Sequence, residues 1–242
     1  MPKTSVVAVQ TTCLDPDQMP DAARRILFIG NSHTFGNGSI PVLLRQFSPD
    51  ILAAMVAIGG CTLHRHWHEG PARSILNDAR FKWDSAVLQE NGWWPSKAPD
   101  DSFEYARNFK AEIERLGAKP VWFMTHPYHK FARDHKNAEG HLDSAAMYEN
   151  SRALAERVAG ELAITVAPVG DAWWAYQQST AEKADTRDLY KDDGIHATAM
   201  GTYLSACVFY AVLLGKSPVG LSPIGFEQAG RIQKIVADVC GV

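Results

Sequence analysis

The feature that most constrains this chain is an alternation of short apolar runs with longer amphipathic stretches. Each of five runs stops at a glycine, a proline or a polar residue, as buried parallel strands do: Arg24–Gly30, Met55–Ile58, Ser85–Gln89, Pro120–Thr125 and Ala163–Ala167. Five stretches have helical periodicity: Ile40–Phe47, Ala72–Arg80, Asp100–Leu116, Asp143–Leu162 and Ala197–Leu214. The alternation predicts a three-layer α/β/α sandwich around a central parallel sheet of about five strands.

The length of the chain favours one domain. A single α/β domain commonly reaches 242 residues, and the sequence shows neither an internal repeat nor a low-complexity tract. A hydrophobic fraction of 46% with 21% charged residues is typical of a folded globular protein. We therefore expect residues 1–242 to form one domain, with residues 1–22 as a peripheral N-terminal extension.

Charge and hydropathy exclude several classes of partner. Twenty-four basic and 27 acidic residues leave a net charge of −3, and no long basic run offers a surface for nucleic acid or anionic lipid. No apolar stretch approaches the roughly 18 residues that a membrane span needs, and the N-terminus resembles a signal peptide poorly. We expect a cytoplasmic protein. Its four scattered cysteines predict neither a disulfide framework nor a zinc site.

The first strand is followed by a candidate nucleophile. Ligands of parallel sheets bind at the carboxyl ends of the strands, and Gly30-Asn31-Ser32-His33 occupies that position. A serine on a sharp turn between strand and helix exposes its hydroxyl at the edge of the sheet. The alternative is that Ser32 only caps a helix, which is a common role of serine after a strand.

A second signal lies near the C-terminus. His196 stands three residues after Asp193, in a loop that leads into the last long helix. This spacing can bring the carboxylate to Nδ1 of the imidazole and leave Nε2 free to take a proton from a hydroxyl. The alternative is a surface turn with no chemical role.

Taken in order, these blocks resemble the SGNH (GDSL-like) hydrolase family from about Arg24 to Leu214. The segments I-G-N-S-H-T, G-G-C-T and D-G-I-H resemble three of its blocks. The resemblance implies a flavodoxin-like fold and a triad of Ser32, Asp193 and His196. It also implies that the backbone N–H groups of Ser32 and Gly60 donate to the oxyanion.

The third block departs from the family pattern. The family has Gly-x-Asn-Asp, whereas this chain has Gln89-Glu90-Asn91-Gly92. Asn91 matches the oxyanion asparagine by position, but Gln89 also carries a side-chain amide, so either can be the donor. Glu90 would disfavour anionic substrates while it is ionised. The first block also differs, with Asn31 where aspartate is frequent.

Other residues are candidates for the wall of the pocket. His64, Trp93 and His126 each follow a strand end or a predicted oxyanion residue, and His129 and His135 lie further along the loop after His126. The alternating histidines of HRHWHEG invite a metal site, but they lack an HExxH partner. We therefore expect no metal and no organic cofactor.

These expectations combine into one predicted activity. The chain is expected to hydrolyse small-molecule oxygen esters with small acyl groups, such as acetyl groups on a carbohydrate or a related metabolite, through an acyl-enzyme. A thioesterase or acyltransferase with the same triad, and a non-catalytic binding module on this fold, are the alternatives. The sequence leaves a homo-oligomer open.

Overall fold

The fold is built on one mixed sheet. A computed structural model describes residues 9–12, 24–130, 132, 143–179, 187–222, 225 and 227–242. Its strands are β1 (Val9–Thr12), β2 (Arg24–Gly30), β3 (Ile51–Ile58), β4 (Ser85–Gln89), β5 (Lys119–Phe123) and β6 (Thr165–Ala167). They lie in the order β1-β3-β2-β4-β5-β6, with β1 antiparallel to β3 and the other pairs parallel. The predicted five-stranded parallel sheet is confirmed.

Helices cover both faces of this sheet. They are α1 (Ser32–Phe35), α2 (Ile40–Phe47), α3 (Leu63–His68), α4 (Ala72–Leu76), α5 (Trp94–Lys97), α6 (Pro99–Arg115), α7 (Ser144–Leu162), α8 (Val169–Ser179), α9 (Ala199–Leu214) and α10 (Ala229–Cys240). The apolar residues of α2, α8, α9 and α10 share one core, and those of α3, α4, α6 and α7 share the other. The three-layer α/β/α architecture is therefore as predicted.

Strand β2 shows how the sequence fills both cores. Ile26 and Phe28 enter the core under α9, whereas Leu27 and Ile29 enter the opposite one, as the two-residue period of a strand requires. All four are at most 1% exposed. Burying such a side chain contributes about 1.5–3 kcal/mol. The continuous apolar run of β2 is thus explained by burial on both faces.

The order of the strands places a crevice at their carboxyl ends. The chain passes from β2 to β3 on one side and then to β4 on the other. In open parallel sheets this reversal separates the loops and leaves space for a ligand. Gly30 pairs with Ala57 of β3, and Ile29 pairs with Leu88 of β4, so the segments that follow the three strands emerge side by side.

Helix α9 fixes the loop that precedes it. The hydroxyl of Thr198 accepts a hydrogen bond from the N–H of Gly201 at 3.2 Å and so caps the helix. A Cβ at Gly201 would lie 2.7 Å from the ring of Trp173 and 2.5 Å from the carbonyl oxygen of Leu189. Glycine therefore allows the start of α9 to pack closely, and residues 193–196 enter it from a defined direction.

One predicted helix is shorter than its periodicity suggests. Helix α4 ends at Leu76, although the pattern continues to Arg80. The side-chain amide of Asn77 donates to the carbonyl of Arg73 at 2.8 Å, and Asp78 accepts from the N–H of Arg80 at 3.1 Å. These local bonds compete with the helix and end it.

The predicted N-terminal extension is described only at Val9–Thr12. This segment pairs with Met55–Ile58 of β3 as an edge strand, which the sequence did not predict. The assignment of the whole chain to one domain stays a prediction. In the ranges that the structure covers, none of the helices combines the length and apolarity needed to cross a bilayer.

Candidate active site

The turn after β2 presents Ser32 at the edge of the sheet. Asn31 has an extended backbone, and its side-chain oxygen accepts the N–H of His33 at 3.1 Å, so it caps α1. Its Nδ2 donates to the carbonyl of Cys61 at 2.9 Å. Asn31, and not Ser32, is therefore the helix cap. The hydroxyl of Ser32 is left for another partner.

A glycine is required immediately before this turn. A Cβ at Gly30 would lie 2.5 Å from Oε1 of Gln89 and 2.7 Å from the hydroxyl of Thr34. The carbonyl of Gly30 also accepts a hydrogen bond from Nε2 of His66 at 2.7 Å. The turn that carries Ser32 is therefore packed tightly against the ends of the neighbouring elements.

Ser32, His196 and Asp193 form one hydrogen-bonded line. Nε2 of His196 lies 2.9 Å from Oγ of Ser32, and Nδ1 lies 2.6 Å from Oδ2 of Asp193. A carboxylate accepts, so Nδ1 carries the proton and Nε2 accepts from the serine hydroxyl. The structure thus brings together the three side chains that the sequence singled out.

The carboxyl group of Asp193 is held in its ionised form. Partial burial alone would raise its pKa, but the backbone N–H and ring of His196 and the N–H of Ile195 donate to it and hold the pKa below its usual range. Oδ1 accepts the two N–H groups at 2.8 Å and 2.9 Å. The three-residue spacing thus lets one side chain both shape the loop and orient the imidazole.

The loop after β5 supports the loop that carries Asp193 and His196. The N–H of His129 donates to the carbonyl of Gly194 at 2.7 Å, and Nε2 of His126 lies 3.1 Å from the carbonyl oxygen of Ile195. The backbone at Gly194 has φ +70°, which favours glycine. These contacts hold Gly194 and Ile195, the two residues that separate Asp193 from His196 in the chain. His135 lies outside the described residues.

His126 is buried against the loop that carries His196. Its ring stacks on Trp173 with centroids 3.8 Å apart, and only 2% of the residue is exposed. Burial lowers the pKa of His126 to about 4. The hydrogen bond to Ile195 raises this pKa, and the charge of nearby His196 lowers it. A neutral ring donates from Nε2. The predicted place of His126 in the pocket wall stays a prediction, and the observed contacts suit a supporting role.

His33 is a site residue that the sequence analysis did not single out. Its ring lies 6.0 Å from that of His196, nearly parallel, and 4.7 Å from that of His126, edge-on. Its pKa lies well below the usual value because of burial and the charges of His126 and His196. In the sequence, the signal for a role of His33 at the site was its position directly after Ser32. It places an uncharged ring beside the catalytic candidates.

The glycine at position 92, where the family pattern has aspartate, has a steric reason. A Cβ there would lie 2.9 Å from Cε1 of Tyr128 and 3.0 Å from Nε2 of His33. An aspartate, as in the family pattern, does not fit at this position without moving both rings. His33 and Tyr128 thus take the space that a side chain at residue 92 would need.

The two candidate amides after β4 have different surroundings. Oε1 of buried Gln89 accepts from the N–H of Asn31 at 2.7 Å and from the hydroxyl of Thr34 at 3.0 Å, and its Nε2 donates to the carbonyl of Glu90 at 2.6 Å. Nδ2 of half-buried Asn91 lies 3.1 Å from the carbonyl oxygen of Gly60. Both amides are hydrogen-bonded, but Gln89 is fully buried whereas Asn91 is partly exposed. This difference favours Asn91, and its role as the oxyanion donor stays a prediction.

Separate alanine substitutions distinguish these two amides. Asn91→Ala should lower kcat for p-nitrophenyl acetate about 10²–10³-fold with little change in Tm, since one oxyanion donor is lost. Gln89→Ala should lower the free energy of unfolding by about 1–3 kcal/mol, because it leaves buried donors unpaired. Kinetics and thermal unfolding of both variants measure this. A large loss of kcat with unchanged Tm in Gln89→Ala alone would assign the donor to Gln89.

The other pocket candidates lie at the rim. His64 is exposed to 46%, and its Nδ1 lies 3.2 Å from Oδ1 of Asp101, with its ring 4.7 Å from that of Tyr105. Trp93 is half-buried and packs against the small apolar cluster that includes Ile195. Trp93 is therefore close to the loop that carries Asp193 and His196, whereas His64 faces α6. Both roles in substrate binding stay predictions.

The three histidines of α3 do not converge on one point. His66 is buried against β2, His64 meets Asp101, and Nε2 of His68 lies 2.8 Å from the hydroxyl of Tyr105. Among the residues with described positions, no group of three or more His, Cys, Asp or Glu could hold a metal ion. The helical geometry turns His66 away from His64 and His68, whose rings lie 5.0 Å apart, so the three side chains that alternate in the sequence do not share one face.

Comparison with known proteins identifies the fold. No protein-family model and no curated protein matches the sequence. A protein from Slackia heliotrinireducens assigned to the SGNH hydrolases is 24% identical, with a TM-score of 0.64 over 79% of this chain and 99% of that one. A DUF4886 family protein from Bacteroides uniformis is 18% identical, with a TM-score of 0.68 over 90% and 94%.

An enzyme of known activity has the same fold. The acetyl xylan esterase AlAXEase is 14% identical, with a TM-score of 0.61 over 77% of this chain and 98% of that one. Identities this low show the fold and no more. The predicted structural resemblance to SGNH hydrolases is confirmed.

Proposed function

We propose that this chain is an SGNH-type serine hydrolase that cleaves carboxylic oxygen esters through an acyl-enzyme. The observation that carries the proposal is the line from Ser32 through His196 to Asp193, with contacts of 2.9 Å and 2.6 Å. A hydroxyl is a weak nucleophile at neutral pH unless a base takes its proton during attack. This line supplies the base and fixes its tautomer.

The reaction proceeds in two halves. Oγ of Ser32 attacks the ester carbonyl while Nε2 of His196 takes the hydroxyl proton, and Asp193 stabilises the resulting imidazolium. The imidazolium then protonates the departing alcohol as the carbon–oxygen bond breaks. Water enters, gives its proton to His196 and attacks the acyl group, and Ser32 recovers its proton as the acid leaves. Every step is a proton or acyl transfer, so the mechanism uses neither a metal nor an organic cofactor.

Negative charge on the carbonyl oxygen needs donors fixed in advance. The proposed donors are the N–H groups of Ser32 and Gly60 and the side-chain amide of Asn91. Asn91 reaches the carbonyl of Gly60, so the second and third donors are adjacent. The backbone at Gly60 has φ +65°, which fits a turn that only glycine adopts without strain.

The substrate proposal is an ester with a small acyl group. Close packing of His33 and Tyr128 against Gly92 supports a restricted space beside the triad. Half-buried Trp93 offers an aromatic wall. Acetyl groups on a carbohydrate or related metabolite fit this description, and the acetyl xylan esterase shows that the fold accommodates such a reaction.

A fluorophosphonate probe tests the function directly. We expect it to label Ser32 covalently, with loss of fluoride and a mass shift on the peptide that contains this residue. His196→Ala should label far more slowly, and Ser96→Ala should label like the wild type. Absence of labelling in the wild type would contradict the proposal and favour a non-catalytic binding module.

A substrate series separates the related activities. Turnover of p-nitrophenyl acetate should exceed that of the octanoate by at least about tenfold, since a restricted pocket rejects extra methylenes. Faster turnover of acetyl-CoA than of the oxygen ester would favour a thioesterase. Acylation of an added alcohol or sugar in place of acid release would favour an acyltransferase.

A further inference from the structure

Glu90 is a buried acid in the middle of the candidate site. It follows β4 directly, stands between Gln89 and Asn91, and is 1% exposed. Isolated buried carboxyl groups are unfavourable unless hydrogen bonds compensate for the lost water. The mechanism proposed above gives this side chain no part, so its contacts require another explanation.

One oxygen of Glu90 joins two loops. Oε1 accepts the N–H of Asn91 at 2.6 Å and the N–H of Leu63 at 3.2 Å. Leu63 is the first residue of α3 and follows the turn that contains Gly60. Asn91 also donates to the carbonyl of Gly60. The loops that carry two of the proposed oxyanion donors are thus fastened to each other through Glu90.

The surroundings of Glu90 favour its neutral form. Burial is the largest effect and raises the pKa of Glu90 to about 8. The N–H groups of Asn91 and Leu63 lower this pKa. The charge of Asp101 on α6 raises it, and the hydroxyl of Ser102 lowers it. From the loop before α3, the buried thiol of Cys61 faces it, and burial raises the pKa of that thiol to about 11. Glu90 faces inward and is protonated, so it does not repel anionic substrates. The expectation from the sequence that an ionised Glu90 disfavours such substrates therefore does not apply.

We propose that Glu90 is a positioning residue whose buried carboxyl group holds the Gly60 loop and the Asn91 loop at the separation that the oxyanion requires. The inference rests on the proposed function, because the oxyanion forms only if Ser32 attacks a carbonyl. Glu90 itself touches no reacting atom. It acts through the two backbone N–H groups that it fixes.

A dependence on pH follows from this arrangement. The pKa of Glu90 is raised above its ordinary value in the folded protein. The contribution of this group to the free energy of unfolding is therefore complete below about pH 4.5 and is lost as pH rises through about 8. Ionisation also places a negative charge beside the developing oxyanion. Activity should therefore decline above pH 8, and removal of the ionisable group should remove that decline.

Two substitutions of similar size test the proposal. Glu90→Gln keeps an acceptor for Asn91 and Leu63, whereas Glu90→Met fills the space without one. Glu69→Gln is the control. Glu69 lies at the end of α3, the helix that begins at Leu63, but it is exposed and pairs with Arg65. The measurements are kcat and KM for p-nitrophenyl acetate from pH 6.5 to 9.5, with thermal unfolding of each variant.

The proposal predicts a specific pattern. Glu90→Gln should keep kcat within threefold of the wild type at pH 7 and lack the decline above pH 8, and Glu90→Met should lose at least tenfold in kcat with KM within twofold. Unchanged kcat in Glu90→Met would overturn the proposal. If Glu90→Met does not fold, the pH profile of Glu90→Gln decides, and an unaltered decline would overturn it.

These outcomes are separate from failure of the proposed function. If wild-type turnover persists in Ser32→Ala, or if no turnover occurs, the serine mechanism fails and the role of Glu90 fails with it. If turnover depends on Ser32 but both Glu90 variants match the wild type, the serine mechanism stands and only the positioning role is removed.

Discussion

Replacing Ser32 with alanine should lower kcat for p-nitrophenyl acetate by at least about 10⁴-fold, to the background rate. Its Oγ is the atom that the geometry aligns with Nε2 of His196, at 2.9 Å, and alanine offers no substitute nucleophile. The free energy of unfolding should change by less than about 1 kcal/mol, because Asn31 and not Ser32 caps the helix. Steady-state kinetics and thermal unfolding measure the two effects.

Ser96→Ala is a suitable control for this substitution. Ser96 lies on α5, where its hydroxyl accepts a bond from Asn150 at 3.2 Å, and it is not part of the hydrogen-bonded line. Its removal should leave kcat within about twofold. Turnover that survives in Ser32→Ala would end the serine mechanism, whatever the stability of that variant.

His196→Ala should lower kcat almost as far as Ser32→Ala. The two residues act in one step, so the double variant Ser32→Ala/His196→Ala should be no slower than either single variant. In Asp193→Asn, kcat should fall less, by about 10²–10⁴-fold. Its oxygen can still accept the N–H groups of the loop, but an amide facing Nδ1 favours the wrong imidazole tautomer.

A kinetic series of these variants checks the triad as a unit. Additive losses in the double variant would mean that Ser32 and His196 act in different steps. Wild-type kcat in Asp193→Asn would mean that the 2.6 Å contact with Nδ1 of His196 does not orient the ring during turnover. Thermal unfolding of each variant separates these losses from loss of structure.

Much of the fold and of the hydrogen-bonded line could be predicted from the sequence. Buried parallel strands carry strong local signals, so β2 and β4 begin and end at the predicted residues. Ser32 follows β2, so the rule that ligands of parallel sheets bind at the carboxyl ends of the strands places it at the edge of the sheet. Asp193 and His196 stand before helix α9 and follow no strand. Their meeting with Ser32 was therefore implied by the family resemblance and not by the strand pattern.

The choices that depend on packing could not be predicted. Gln89 and Asn91 are equivalent as amides, and only the contacts of Gln89 with Asn31 and Thr34 distinguish them. The stacking of His126 on Trp173 joins two elements whose approach has no local signal. The same holds for Glu90, whose burial depends on how α3 and α6 close over it. Edge strand β1 is too short to stand out.

The two bonds of Asn31 have a consequence for other proteins of this fold. Its amide donates to the carbonyl of Cys61 while its oxygen accepts from His33. An aspartate, frequent at this position in the family, can accept but cannot donate when ionised. In a protein of this fold with aspartate at this position, another donor or a differently shaped loop has to satisfy the carbonyl at position 61.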